Sequence, residues 1–174
     1  MSVSMYQNSV PVMQRLMQNL ISVIEKAEAH ATAKKIDGEV LPNCRLTADM
    51  FPLKRQVQIA SDMAKMGCAR LAGKDAQAPK WEDTEKTLPE LRARLQKSID
   101  YIGSFKPADI DGSETKDINL TIGGQPKVLK GHQYLMTHAY PHFFFHIVTS
   151  YNILRQNGVE VGDRKSTRLN SSHG

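Results

Sequence analysis

Three histidines, His138, His142 and His146, recur every four residues in the stretch HQYLMTHAYPHFFFHIVTSYNIL, which runs from His132 to Leu154. Residues four apart on an α-helix lie above one another, so two imidazoles at that spacing can share one divalent ion. Three cannot, because eight residues of helix rise about 12 Å while a coordination sphere has Zn–N near ~2.1 Å. The candidate metal ligands are therefore His138 with His142, or His142 with His146. Completed by a carboxylate or amide from elsewhere and an open water position, such a pair would ionise water or a thiol for attack. Two metal-free readings compete with it: a polar seam hydrogen-bonded to neighbouring helices, and a small-molecule pocket lined by Tyr134, Tyr140, Trp81 and a histidine.

The same stretch must also build core. At 3.6 residues per turn Met136, Tyr140, Phe143, Ile147, Tyr151 and Leu154 share a side, widened by Phe144 and Val148. Pro141 lies inside the histidine row and removes the hydrogen bond to the carbonyl of Thr137, which predicts a kink. Three consecutive phenylalanines cover about 300° of helix, so Phe145 points away from the stripe. It needs a second apolar surface, either the hairpin or another subunit, and a homodimer is the expectation.

The rest of the chain supplies the elements that hold this helix. Residues 4 to 35 repeat apolar positions by fours and threes through Tyr6, Val10, Met13, Met17, Leu20, Ile24, Ala27 and Ala31. That is a long helix, capped by Ser4, bent at Pro11 and ending near a surface His30. Pro52 opens a second helix whose inward row is Leu53, Val57, Ala60, Ala64, Gly67 and Leu71, with Gln56, Asp62 and Lys65 on its solvated edges and Gly73 ending it. After a polar loop pinned by Trp81, Thr87-Leu88-Pro89-Glu90 reads as a capping box for a third helix closing near Phe105. Ile118, Leu120 and Ile122 alternate with polar residues ahead of Gly123-Gly124, which predicts a β-hairpin lying over the end of the fourth helix. Asn157-Gly158 stops that helix. The fold class is all-α, a four-helix bundle with long connections and a small β-hairpin between helices three and four.

The whole chain bounds the function. Its 174 residues fit one domain, and +5 of formal charge is scattered among acids rather than gathered into a nucleic-acid footprint. No run of about 18 apolar residues spans a membrane, and the first residues have no signal-peptide pattern, so a cytoplasmic protein is expected. Cys44 and Cys68 sit in no metal-type spacing and read as idle thiols. No phosphate loop, GxSxG elbow or paired catalytic carboxylates occur. Residues 163 to 173, DRKSTRLNSSH, back-translate into a common sequencing adapter, so the domain is taken as 1–162 and 163–174 as a non-native tail. Removing Asp163, Arg164, Lys165 and Arg168 lowers the charge from +5 to +3.

The segments VPVMQRLMQNL, RLTADMFPLKRQVQIASDMAK, EKTLPELRARL, IGGQPKVLKGHQYL and PHFFFHIVTSYNILRQNGVEVG follow in order across nearly all of residues 1–162. Together they resemble the bacterial domain-of-unknown-function family numbered nineteen ninety-three. That family stands beside the DinB/YfiT-like metalloenzymes, so the resemblance implies a DinB-like four-helix bundle, often homodimeric, with no established reaction. In that superfamily a divalent metal such as zinc or nickel is held by one histidine of the second helix and an HxxxH pair on the last, for thiol-dependent transfer or hydrolysis. The last helix of this chain offers His138/His142 and His142/His146. Its second helix carries no histidine, only Gln56, Asp62 and Cys68 as substitutes.

Overall fold

The computed structural model describes residues 4–162, and the adapter-like tail from 163 lies outside them. Four long helices carry the core: α1 (Val10–Ala33), α3 (Leu53–Ala72), α4 (Leu88–Gly103) and α7 (Tyr140–Gln156). Between them lie the short helices α2 (Val40–Asn43), α5 (Pro107–Ile110) and α6 (Gly131–Tyr134), and the strands β1 (Asp117–Ile122) and β2 (Gln125–Lys130). The described residues are mostly helical, with one antiparallel two-stranded hairpin among them.

Helix α1 packs on α4 and α7, and α3 packs on the same two partners. Directions follow from the cross-links. Gln14 reaches Ile99 while Glu25 pairs with Arg92, so α1 and α4 are antiparallel. Gln56 meets His146 while Arg70 meets Tyr134, so α3 and α7 are antiparallel too. Tyr140 donates to the Asn8 carbonyl and Gly158 lies beside His30, which makes α1 and α7 parallel. Helices α3 and α4 therefore run the same way. The chain between them must travel back along the whole length of the helices, and residues 74–86 do this as a strap containing only a 3-10 turn at Asp75–Gln77.

Apolar periodicity fixed most of this. The inward row of α3 is buried as predicted, and at Gly67 an added Cβ would lie 3.4 Å from Met13 and 3.7 Å from Ala139, so small residues do bring three helices together. Gly73 takes the left-handed conformation, φ 69°, that ends α3. The capping box forms, with Thr87 N–H donating to Glu90 at 2.9 Å and Glu90 N–H returning to Thr87 Oγ1. Gly123 and Gly124, both at positive φ, close the hairpin, and Ile118 pairs with Leu129 across it. The hairpin packs on α6, at the start of the last helical run.

Four expectations change. Helix α1 begins at Val10 rather than at Ser4, because Ser4 instead caps a preceding turn and donates to Asp111 at 2.8 Å. Gln56 and Lys65 are not solvated edges but buried, at 1% and 5% exposure. His30 is half-buried, not a surface residue. The fourth change concerns the last helix. Leu135–Ala139 form a π-helical turn, in which Tyr140 N–H reaches back five residues to the Leu135 carbonyl, immediately before Pro141. The wider turn adds a residue to the helical repeat, so Leu135 and Ala139 enter the core and Met136 swings out to 49% exposure. Phe144 and Val148 do not widen the core stripe either, being 37% and 54% exposed.

Candidate functional site

The histidine row lies where α7 and the π turn face α3. His146 is the most embedded of the three, and its Nδ1 lies 2.6 Å from Gln56 Oε1. The amide of Gln56 is itself oriented, since its Nε2 donates to the Phe51 carbonyl at 3.1 Å. Oε1 can only accept, so the proton sits on His146 Nδ1 and Nε2 keeps its lone pair. Burial pushes the His146 pKa down to about 4, with repulsion from His142 and Arg55 adding to the effect. At neutral pH His146 is an uncharged imidazole in one tautomer.

His138 stands one helical turn before His142. Its ring stacks on Tyr134 with centroids 5.6 Å apart and meets His142 edge-on at 4.6 Å. Its pKa is lowered, first by burial, then by His142 and Arg70. Arg70 donates to the Tyr134 hydroxyl at 3.1 Å, so a continuous row runs from Arg70 through Tyr134 and His138 to His142. His142 is exposed. It sits between the other two imidazoles and acts electrostatically on both. Phe145, 53% exposed, lies at the outer end of the seam, where its ring contacts His146 at 5.1 Å.

The metal expectation can be tested on this donor set. Gln56, the α3 residue aligned with the row, faces a histidine through its oxygen, and Asp62 turns to Lys65 and Arg94 instead. Cys68 is fully buried, its thiol pushed up to about 12 by burial, and its Sγ faces Met13. Among the described residues no group of three or more His, Cys, Asp or Glu is placed to hold a metal ion. These residues do not fit the one-plus-two histidine centre that the resemblance implies. Nor do Tyr134, Tyr140 and Trp81 line one pocket. Tyr134 is buried against Arg70, Tyr140 bonds to Asn8, and Trp81 lies on the other flank of α3.

That other flank holds a second polar cluster that the sequence did not reveal. Arg94 of α4 is buried, yet its guanidinium meets Asp62, Asp83 and Glu85 at 3.1–3.2 Å and donates to Ser61 and the Glu82 carbonyl. Lys65, Lys97 and Arg94 surround the Trp81 ring at 4.4, 4.8 and 5.2 Å. The only sequence signal was the density of acids around Trp81 in the strap.

Helices in this order, a hairpin at the start of the last one and a histidine row facing the second long helix define a DinB-like protein. A solved DinB family member protein from Shewanella denitrificans is similar to this chain, at 42% identity over 97% of this chain and 94% of that one, with a TM-score of 0.87. The family profile described as Domain of unknown function (DUF1993) matches residues 5–165, and the chain belongs to that family. No curated protein matches it.

Proposed function

We propose that this chain is a DinB-like four-helix bundle that binds a small polar ligand at the α3–α7 seam, with no metal and no reaction assigned to it. The observation that carries the reading is the Gln56–His146 bond. It uses the Gln56 oxygen that α3 sets opposite His146 and leaves His146 Nε2 as a fixed, neutral acceptor beside the exposed His142. A ligand with N–H or O–H groups and a flat apolar body fits such a site, the body lying on the exposed Phe145 ring beside His146. The two free cysteines support a cytoplasmic setting, where thiols stay reduced.

A second reading keeps the divalent metal, bound by His142 and His146 in a thiol-dependent transferase or hydrolase. It is favoured by one feature: a ligating histidine is usually oriented by a hydrogen bond from its other nitrogen, and Gln56 supplies that bond. Elemental analysis of protein purified without added metal separates the two. Less than a tenth of an equivalent of zinc or nickel in the wild type supports the metal-free seam. Near one equivalent, lost in His142→Ala, supports the enzyme and ends the first reading.

A further inference from the structure

Two cations converge at the end of α3 opposite the Gln56–His146 bond, and neither has a counter-ion there. Arg70 lies in the last turn of the helix. Its Nη1 donates to the Tyr134 hydroxyl, its only hydrogen bond among the described residues, while Nε is sealed from water without a partner. Lys116 comes from the root of the hairpin. Its backbone is held on both sides, the N–H donating to the Ser113 carbonyl at 3.1 Å and the carbonyl accepting from the Gly131 N–H at 2.9 Å, so the fold fixes where the side chain starts. The ammonium then lies over the end of α3, where a Cβ added at Gly73 would overlap Lys116 Nζ. Other cations that pack against a neighbouring element, such as Arg55, Arg92 and Arg94, each hold a carboxylate. Arg70 and Lys116 belong to no ion pair among the described residues.

Both line one hollow of about 80 Å³, together with Gly73, Asp75, Asp117 and Asn119. At about 30 Å³ per water in the liquid, that holds two or three waters or one small oxyanion, and no nucleotide. A half-buried guanidinium whose N–H groups lack acceptors carries a desolvation cost that an anion offsets. The acids in the wall narrow the choice. Asp117 accepts from Lys130 on the paired strand at 2.6 Å. Asp75, which opens the 3-10 turn, has no side-chain partner among the described residues, and an ionised carboxylate can only accept. A fully ionised sulfate would bring a bare oxygen towards it. An oxyanion that keeps one proton donates to it instead.

We propose that this hollow binds a small oxyanion that keeps one proton at neutral pH, monohydrogen phosphate or hydrogencarbonate. Arg70 and Lys116 donate to its charged oxygens, and Asp75 accepts from its O–H. None of the three histidines lines the hollow, so the site stands apart from the α3–α7 seam and does not rest on the ligand reading given for it. The two meet only through Arg70, which holds the Tyr134 hydroxyl on one side and faces the hollow on the other.

Isothermal titration calorimetry at fixed ionic strength, with sodium phosphate, sodium hydrogencarbonate and sodium sulfate each taken to about 20 mM, tests the site. Phosphate or hydrogencarbonate should bind with a dissociation constant of about 1 mM or below, and sulfate about ten-fold more weakly or worse. The tighter of the first two identifies the occupant. Lys116→Gln removes one charge at an exposed position and should weaken binding about ten-fold at unchanged helicity. Asp75→Asn, whose amide can donate, should erase the preference over sulfate. The Arg70 Nε–H signal in the NMR spectrum, sealed from solvent, should shift as the anion is added and so locates binding without a substitution. Neither heat nor shift with phosphate and hydrogencarbonate overturns the site and leaves Lys116 as a cation placed on the C-terminal end of α3. Sulfate binding as tightly as phosphate overturns the part given to Asp75, and with it the choice of a protonated anion. Binding that survives Lys116→Gln with the Arg70 signal unmoved lies elsewhere and overturns the proposal too. Metal content and seam ligands are read separately, so failure of the seam leaves these outcomes unchanged.

Discussion

Helix α3 has a polar seam on each flank, and the two are built on different principles. Towards α4, Arg94 meets three carboxylates, Ser61 and a backbone carbonyl, and Ser98 donates to the Ser61 carbonyl at 3.0 Å. Almost every donor there has an acceptor, and the strap of residues 74–86 is fastened down as a result. Towards α7, the groups are neutral and fewer. Gln56 and His146 satisfy each other, while His146 Nε2 and the exposed His142 face outward. A saturated ionic cluster holds a chain segment in place and leaves nothing for a ligand. A neutral, half-saturated seam contributes less to stability and keeps bonding capacity for something else.

Breaking the ionic seam should give the largest effect. Arg94→Met removes the one cation shared by Asp62, Asp83 and Glu85; Asp62 keeps Lys65, Asp83 keeps Arg55 and Glu85 keeps the Gln58 amide, so the cost falls at the low end for a broken buried pair, about 3 kcal/mol. Urea unfolding measures it, and the fluorescence of Trp81, the only tryptophan, should change in the native state as the strap loosens. A change below about 1 kcal/mol would mean that solvent already shares this site.

The neutral seam should yield less. Gln56→Leu deprives His146 Nδ1–H and the Phe51 carbonyl of their partner and should cost about 1–2 kcal/mol, part of which returns in the Gln56→Leu/His146→Leu double variant. Additive losses in that cycle would deny that the two side chains are bonded.

The smallest effect is a pH dependence. Burial lowers the folded-state pKa of His146 to about 4, below that of the unfolded chain, so the unfolded state binds more protons between those values. Stability from this group is fully present above about pH 6.5 and is lost as the pH falls towards 4. His146→Gln should flatten that slope, measured by thermal unfolding at several pH values. His142 and Arg55, which repel the protonated ring, remain in both proteins and do not mask the difference.

Much of the fold could be read from residue order. The inward row of α3, the Thr87–Glu90 capping box, the Gly123-Gly124 turn and the stop at Gly73 each depend on local spacing and on single backbone conformations, which a linear chain records directly. Arg94 could not be read, because its partners come from α3 and from the strap, and only packing brings them together. The outward turn of Met136 was hidden for a different reason. A repeat of 3.6 residues was carried through Pro141, whereas the chain widens to a π turn there.

By itself, then, the sequence determined that the last helix is apolar around more of its circumference than one core can take and that its histidines recur at one face. These are properties of residue type and helical pitch. Which histidine loses its charge, which acid leaves the row, and which aromatic rings stay outside were decided only by tertiary structure. They depend on what α3 places opposite each residue, and that distance of a few ångströms between helices is not written in the order of residues along either one.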